Sequence, residues 1–272
     1  MTIKEARKQL WLFLLLCFSL TGIIMFCMNR LDPTMMDVKA QALYGIACFC
    51  PAVSAFIIGL FYRVSPRDYK LLPHFEGNAK VYAGAILFAA GITLIGDPLT
   101  AFFFPEVMHF ENVDLIFLFF HILLMVMYAC VLFFPILGEE LGWLGFMFSR
   151  LETLHGTISA VILMGIIRGL WHIPLFLAGD GKDVVETIGM LILSNIFLGS
   201  VLVYVTKKSD SIIPASLIHS INNGLAGVYG TCLVINPDMM EKFHTQIQIV
   251  SILPVIFFGV IGYVLLVKWK KK

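Results

Sequence analysis

Residues 115–143 read LIFLFFHILLMVMYACVLFFPILGEELGW. From Leu115 to Leu137 the run holds no Asp, Glu, Lys or Arg, and a second apolar stretch, Leu141 to Phe148, follows at once. A helix needs about 20 apolar residues to cross a bilayer, and this run suffices. Glu139 and Glu140 interrupt it. By insertion scales an acidic residue at membrane depth costs roughly 2.5–3.5 kcal/mol. Two in succession therefore need groups that share their charge, or a site in which they titrate.

The composition agrees with a lipid environment. Of 272 residues, 59% are hydrophobic and 14% charged, against about 25% charged in soluble domains, and the mean hydropathy is +0.90. A net charge of +1 carries no nucleic-acid footprint. The expected spans are eight: Leu10–Met28, Gln41–Tyr62, Val81–Phe104, Leu115–Leu137, Thr157–Gly179, Thr187–Thr206, Ser211–Ile235 and Ile247–Val267. The separators are short. The fold class is thus all-α, a polytopic membrane helical bundle read as a single domain over 1–272. The basic start at Lys4, Arg7 and Lys8 lacks a small-residue cleavage site after Cys27-Met28-Asn29-Arg30, so the first span is read as uncleaved.

Basic residues set the orientation. One side collects Lys4, Arg7, Lys8, Arg63, Arg67, Lys70, Lys80, Arg150, Lys207, Lys208, Lys268, Lys270, Lys271 and Lys272. The other holds Arg30, Lys39, Lys182 and Lys242 among acids such as Asp32, Glu106, Asp180, Asp183 and Glu186. By the positive-inside rule the first side is cytoplasmic and both termini lie there, which an even number of spans requires. The cysteines Cys17, Cys27, Cys48, Cys50, Cys130 and Cys232 sit in or at the end of apolar runs without a C-x-x-C pair, and are read as packing residues.

Three spans carry polar pairs. Besides Glu139/Glu140, the fifth span holds Arg168 and His172, and the seventh holds His219 and Asn223. Each of the latter pairs is spaced i, i+4 and so shares a helix face. Arg168 is too deep to reach water and needs an anion, for which the glutamates are the candidates. A carboxylate beside an imidazole can activate a water, and a His with an Asn can donate to a developing oxyanion. Alternatively Glu139, His172 and His219 could hold a divalent metal such as zinc, as in metalloproteases, although no H-E-x-x-H is present. The expected pocket lies in the cytoplasmic half of the bilayer. Asp97, His121 and Asn195 fall toward outer ends of spans, and Gly165 with Gly169 reads as a close-packing pair.

Glu139-Glu140-Leu-Gly-Trp143, then Trp171-His172-Ile-Pro174-Leu-Phe176, then His219-x-x-x-Asn223 resembles the CPBP intramembrane proteases, which include the type II CAAX prenyl proteases and bacteriocin-processing or immunity relatives. The likeness covers about Phe134 to Gly224, within a protease-like core of about 115–235. It implies an intramembrane endopeptidase in the cell membrane, acting on a membrane-associated or prenylated-type peptide or protein substrate. It further implies that Glu139 with His172 activates the water, Glu140 supports the site, and His219 with Asn223 stabilises the oxyanion. Two positions depart from the family pattern. Leu144 stands where the first motif has Arg, and Arg168 stands where the second usually has Phe. A swap of the cation between helices accounts for both. The competing readings are a catalytically silent immunity or scaffold protein of the same family and, behind it, a transporter. Buried Glu, Arg and His also mark proton pathways, but no internal repeat is visible.

Overall fold

The computed structural model describes residues 1–32, 37–111, 113–176 and 184–269. Lys182, Asp180, Asp183 and Lys270 to Lys272, used above for orientation, lie outside the described residues, as does the end of the expected fifth span at Gly179.

The chain is almost entirely helical. α1 (Ile3–Leu31) starts at a capping box in which the Thr2 side chain accepts from the Glu5 amide and the Glu5 carboxylate accepts from the Thr2 amide. α2 (Val38–Cys48) and α3 (Cys50–Phe61) form one crossing, interrupted at Phe49, with Pro51 in the first turn of the second helix. α4 (Ala79–Phe103) leads to a short strand, β1 (Met108–Phe110). α5 (Leu115–Glu140) is capped by the Asp114 carboxylate, which accepts from the amides of Ile116 and Phe117. It passes without a break into a π-helical segment, Leu141–Met147, and then α6 (Phe148–His155). α7 (Thr157–Trp171) turns at His172 into α8 (Ile173–Phe176). α9 (Val184–Ser209), α10 (Ile213–Gly224), β2 (Leu233–Ile235), α11 (Pro237–Lys242) and α12 (His244–Trp269) complete the chain.

Among the described residues, 7 helical runs are long and apolar enough to cross a membrane. This is a multi-pass membrane protein. The seventh of the eight expected spans is the exception. Within Ser211–Ile235 only α10, 12 residues long, is helical, which gives about 18 Å, well short of a bilayer core of about 30 Å. The segment ends in turns around Gly227, whose φ of +80° is a left-handed conformation suited to glycine. The apolar run thus crosses partly as helix and partly as turns. Its far end is fixed by pairing of β2 with β1, Met108 opposite Ile235, and its near end by the Ile212 amide, which donates to Lys70 O at 2.9 Å.

The fourth span is also longer than expected. The run Leu115–His155 holds 41 residues, about 60 Å of helix, so Glu139 and Glu140 lie inside a continuous helical run and not near its end. Arg150, counted above as a cytoplasmic charge, is buried. Its Nε and Nη2 donate to Gln9 Oε1 at 3.0 and 2.8 Å, and its guanidinium lies 3.7 Å from the Phe146 ring centre.

Small residues bring the site helices together. α7 packs on α9 where a Cβ on Gly165 would lie 2.6 Å from the Ile196 Cα. α10 meets α5 at Gly224, where a Cβ would strike Ala129. Gly142 rests directly on Pro51, and Gly138 on the Phe49 ring.

Candidate active site

α5, α7 and α10 each bring one charged or ionisable group to a buried point. Glu140 is the last residue of α5 and is fully buried, and Arg168 on α7 is nearly so. Arg168 Nη1 donates to Glu140 Oε2 at 3.1 Å, and Nη2 donates to Oε1 at 2.9 Å. This is the two-pronged geometry that a planar guanidinium offers a carboxylate. His219 Nδ1 on α10 lies 2.7 Å from the same Oε1. A carboxylate oxygen accepts, so Nδ1 carries the proton and the opposite ring nitrogen is left free. The Arg168 Nη2 to His219 Nδ1 separation of 3.3 Å is then a contact between two donors that share one acceptor.

Glu139 faces elsewhere, because consecutive helical residues point about 100° apart. It is also buried. Among the described residues it forms no ion pair. Its neighbours are the Cys48 thiol of α2 and the His172 ring. His172 Nδ1 lies 2.8 Å from Arg168 O, one turn back in its own helix. A carbonyl only accepts, so this bond puts the proton on Nδ1 and leaves Nε2 as an acceptor. Arg168 thus serves twice: its guanidinium holds Glu140 and its carbonyl sets the His172 tautomer.

The π-helical segment begins immediately after Glu140. Such segments insert extra backbone into a helix turn and are frequent at functional sites. Here it carries Trp143 and Leu144, both buried. Trp143 meets Trp171 edge-on at 5.8 Å between ring centres, and Trp171 meets His172 at 4.9 Å. Trp171 Nε1 donates to Thr21 Oγ1 of α1 at 2.8 Å. Among the described residues, the buried Arg168 Nε and Trp143 Nε1 groups have no hydrogen-bond partner.

The structure therefore brings together Glu140, Arg168 and His219 directly, and sets Glu139 beside His172. Asn223 is not drawn in. It is exposed near the end of α10, and its Oδ1 accepts from Asn222 Nδ2 at 3.4 Å. The metal alternative does not fit the arrangement. Among the described residues no three His, Cys, Asp or Glu side chains are grouped to hold an ion, and the His219 nitrogen nearest the acids is already spent on Glu140.

Sequence reasoning missed Thr21, which holds Trp171, and the Cys48 thiol with its neighbour Tyr44 on α2, both beside Glu139. Thr21 carries no motif. The Cys48-Phe49-Cys50-Pro51 break was the available signal that α2 and α3 end in the protein interior.

The fold and this buried ionic cluster define a polytopic membrane protein with a Glu/His site shared by three helices. Residues 107–225 match the family described as type II CAAX prenyl endopeptidase Rce1-like, so the resemblance carried by the three motifs holds across α5 to α10. A CAAX prenyl protease 2 of Methanococcus maripaludis is 43% identical over 42 residues, 15% of this chain and 16% of that protein. The match therefore spans about a sixth of that relative's length.

Proposed function

We propose that this protein is an intramembrane endopeptidase that cleaves a peptide bond of a membrane-associated or prenylated-type substrate. The observation that carries the reading is the unequal treatment of the two glutamates. Both Glu140 oxygens are taken by Arg168 and His219. A carboxylate so engaged is a poor proton acceptor. Glu139, free of ion pairs among the described residues, is the one left to act as base.

In this mechanism Glu139, with His172 Nε2 orienting the water, takes a water proton as the oxygen attacks the scissile carbonyl carbon. The tetrahedral oxyanion forms beside His219 Nε2, the ring nitrogen that faces away from Glu140, which donates to it in the doubly protonated form of the ring. Asn223 joins it by a side-chain rotation when substrate is bound. Collapse breaks the C–N bond, and the proton held by Glu139 passes to the leaving amine. Arg168 supplies from α7 the charge that the family places at the position of Leu144, which is why a buried leucine is tolerated there.

A silent relative is the second reading, and the exposure of Asn223 favours it. Cleavage of a fluorogenic peptide, prenylated and unprenylated, by the purified protein separates the two. The protease reading expects turnover that Glu139→Ala and His172→Ala abolish without loss of folding. Function that survives both variants would overturn it.

A further inference from the structure

A groove between α4, α9 and α12 lies at the end of the bundle where the basic residues collect. Its volume is about 320 Å³. From Val81 to Phe88 on α4, Val201 to Lys208 on α9 and Phe258 to Leu265 on α12, its lining residues recur at i, i+3, i+4 and i+7. Each helix therefore gives it one continuous face. At about 1.5 Å per residue those spans run about 10 Å along the bundle. Gly84 and Ile261 in its wall are exposed, and on membrane-spanning helices that exposure is to lipid. A Cβ added at Gly84 would meet nothing within 4 Å, so the absent side chain helps to keep the groove open.

The charges in its lining sit at one end. Lys80 is the second residue of α4 and Lys208 the last but one of α9. Both line the groove, and among the described residues no acid does. Acids close by in the fold are committed elsewhere: Asp210 Oδ1 lies 2.8 Å from Lys70 Nζ, and Glu152 Oε1 lies 2.8 Å from Lys207 Nζ. Lys80 and Lys208 form no ion pair among the described residues. Lys208 Nζ instead lies 5.5 Å from the centre of the Trp269 ring, which Tyr204 meets edge-on at 6.4 Å.

Two unpaired cations at the mouth of an apolar groove that opens to lipid are complementary to an anionic head on a hydrocarbon tail. A free anion would answer the lysines and leave the groove empty. A zwitterionic lipid would fill the groove and bring a cation of its own to the lysines. The positive-inside rule puts this end in the cytoplasmic leaflet, where anionic lipids are found. We propose that the groove binds an anionic glycerophospholipid, with its phosphate between Lys80 and Lys208 and one acyl chain running past Gly84 toward Phe88. The lipid ties α4, α9 and α12 together and reaches Ile218 on α10, the neighbour of His219 in the chain.

Binding is read without cleavage, so the outcome is independent of the protease reading. The full chain, delipidated in neutral detergent, is titrated with dioleoylphosphatidylglycerol and with dioleoylphosphatidylcholine, and the thermal unfolding midpoint is followed. The two lipids share their chains and differ in headgroup charge. A saturable rise with phosphatidylglycerol that phosphatidylcholine does not match is expected. Lys80→Gln with Lys208→Gln should raise the half-saturating concentration about tenfold or more. Lys4→Gln with Lys8→Gln removes as much charge from the same side of the membrane and should leave it unchanged. Gly84→Leu fills the groove from an open position and should abolish the saturable rise with both lysines in place. Should the Lys80/Lys208 double variant fail to fold, Lys80→Gln alone and Gly84→Leu carry the same comparison. No rise, equal rises with both lipids, equal weakening by the two lysine pairs, or a full response in Gly84→Leu would overturn the proposal. So would an inorganic phosphate titration that matches the phosphatidylglycerol shift, since a free anion needs no groove.

Discussion

Arg168 holds both carboxylate oxygens of Glu140, at 3.1 and 2.9 Å, across the contact between α7 and the end of α5. Neither group has appreciable access to solvent. Removing one member of such a pair strands the other charge in a low-dielectric interior, at a typical cost of about 3–5 kcal/mol. Arg168→Ala is therefore expected to lower the thermal unfolding midpoint markedly in detergent or nanodiscs. The exchange Leu144→Arg with Arg168→Phe is expected to recover most of the loss, because the cation returns beside the same carboxylate from α5's own continuation. An Arg168→Ala protein with unchanged midpoint and activity would end the swap hypothesis.

The two glutamates should respond oppositely. Glu140→Gln leaves Arg168 with a neutral partner and is expected to destabilise the fold. Glu139→Gln removes no ion pair among the described residues and is expected to keep the midpoint within a few degrees while peptide cleavage is lost. Paired thermal scans and turnover assays on the two variants decide this. Equal loss of stability in both would show that the couplet is a structural unit.

Gly142 lies against the Pro51 backbone with no room for a side chain, whereas Gly45 has nothing within 4 Å of an added Cβ. Gly142→Ala is expected to cost about 1–3 kcal/mol by overpacking. Gly45→Ala, within α2, is expected to be neutral or to stabilise by about 0.5–1 kcal/mol. Unfolding midpoints of the two variants, measured side by side, test the fit of the π-helical segment on α3.

Gln9 is the acceptor for two Arg150 donors, and both side chains are buried. Gln9→Leu keeps the volume but removes the acceptor, and a loss of about 1–3 kcal/mol is expected. Arg150→Met, which removes the buried cation together with its need for an acceptor, should be milder in the Gln9→Leu background than alone. A double-mutant cycle in unfolding midpoints measures that coupling.

The three polar pairs were legible because charge in an apolar run is conspicuous, and i, i+4 spacing assigns it to one helix face. The partnership within them was not. Spacing could not say whether Arg168 would take Glu139 or Glu140, because adjacent residues point about 100° apart and the choice depends on how α5 is rotated against α7. The expected span Ser211–Ile235 also went astray for a physical reason. Hydropathy measures the cost of leaving water, which a turn buried among helices satisfies as well as a helix does. Only the stop at Gly224 and the pairing of β2 with β1 revealed the difference.

By itself the sequence determined that this chain lives in a membrane and which of its residues are too polar to face lipid. Those facts follow from transfer free energies that each residue carries wherever it sits. The tertiary structure decided which acid is bound and which is left free. It also decided where Asn223 points and how the helical run continues past the couplet. Those outcomes depend on rotation and close approach between helices, set by contacts such as Gly142 on Pro51 and Gly224 on Ala129, which no residue specifies alone.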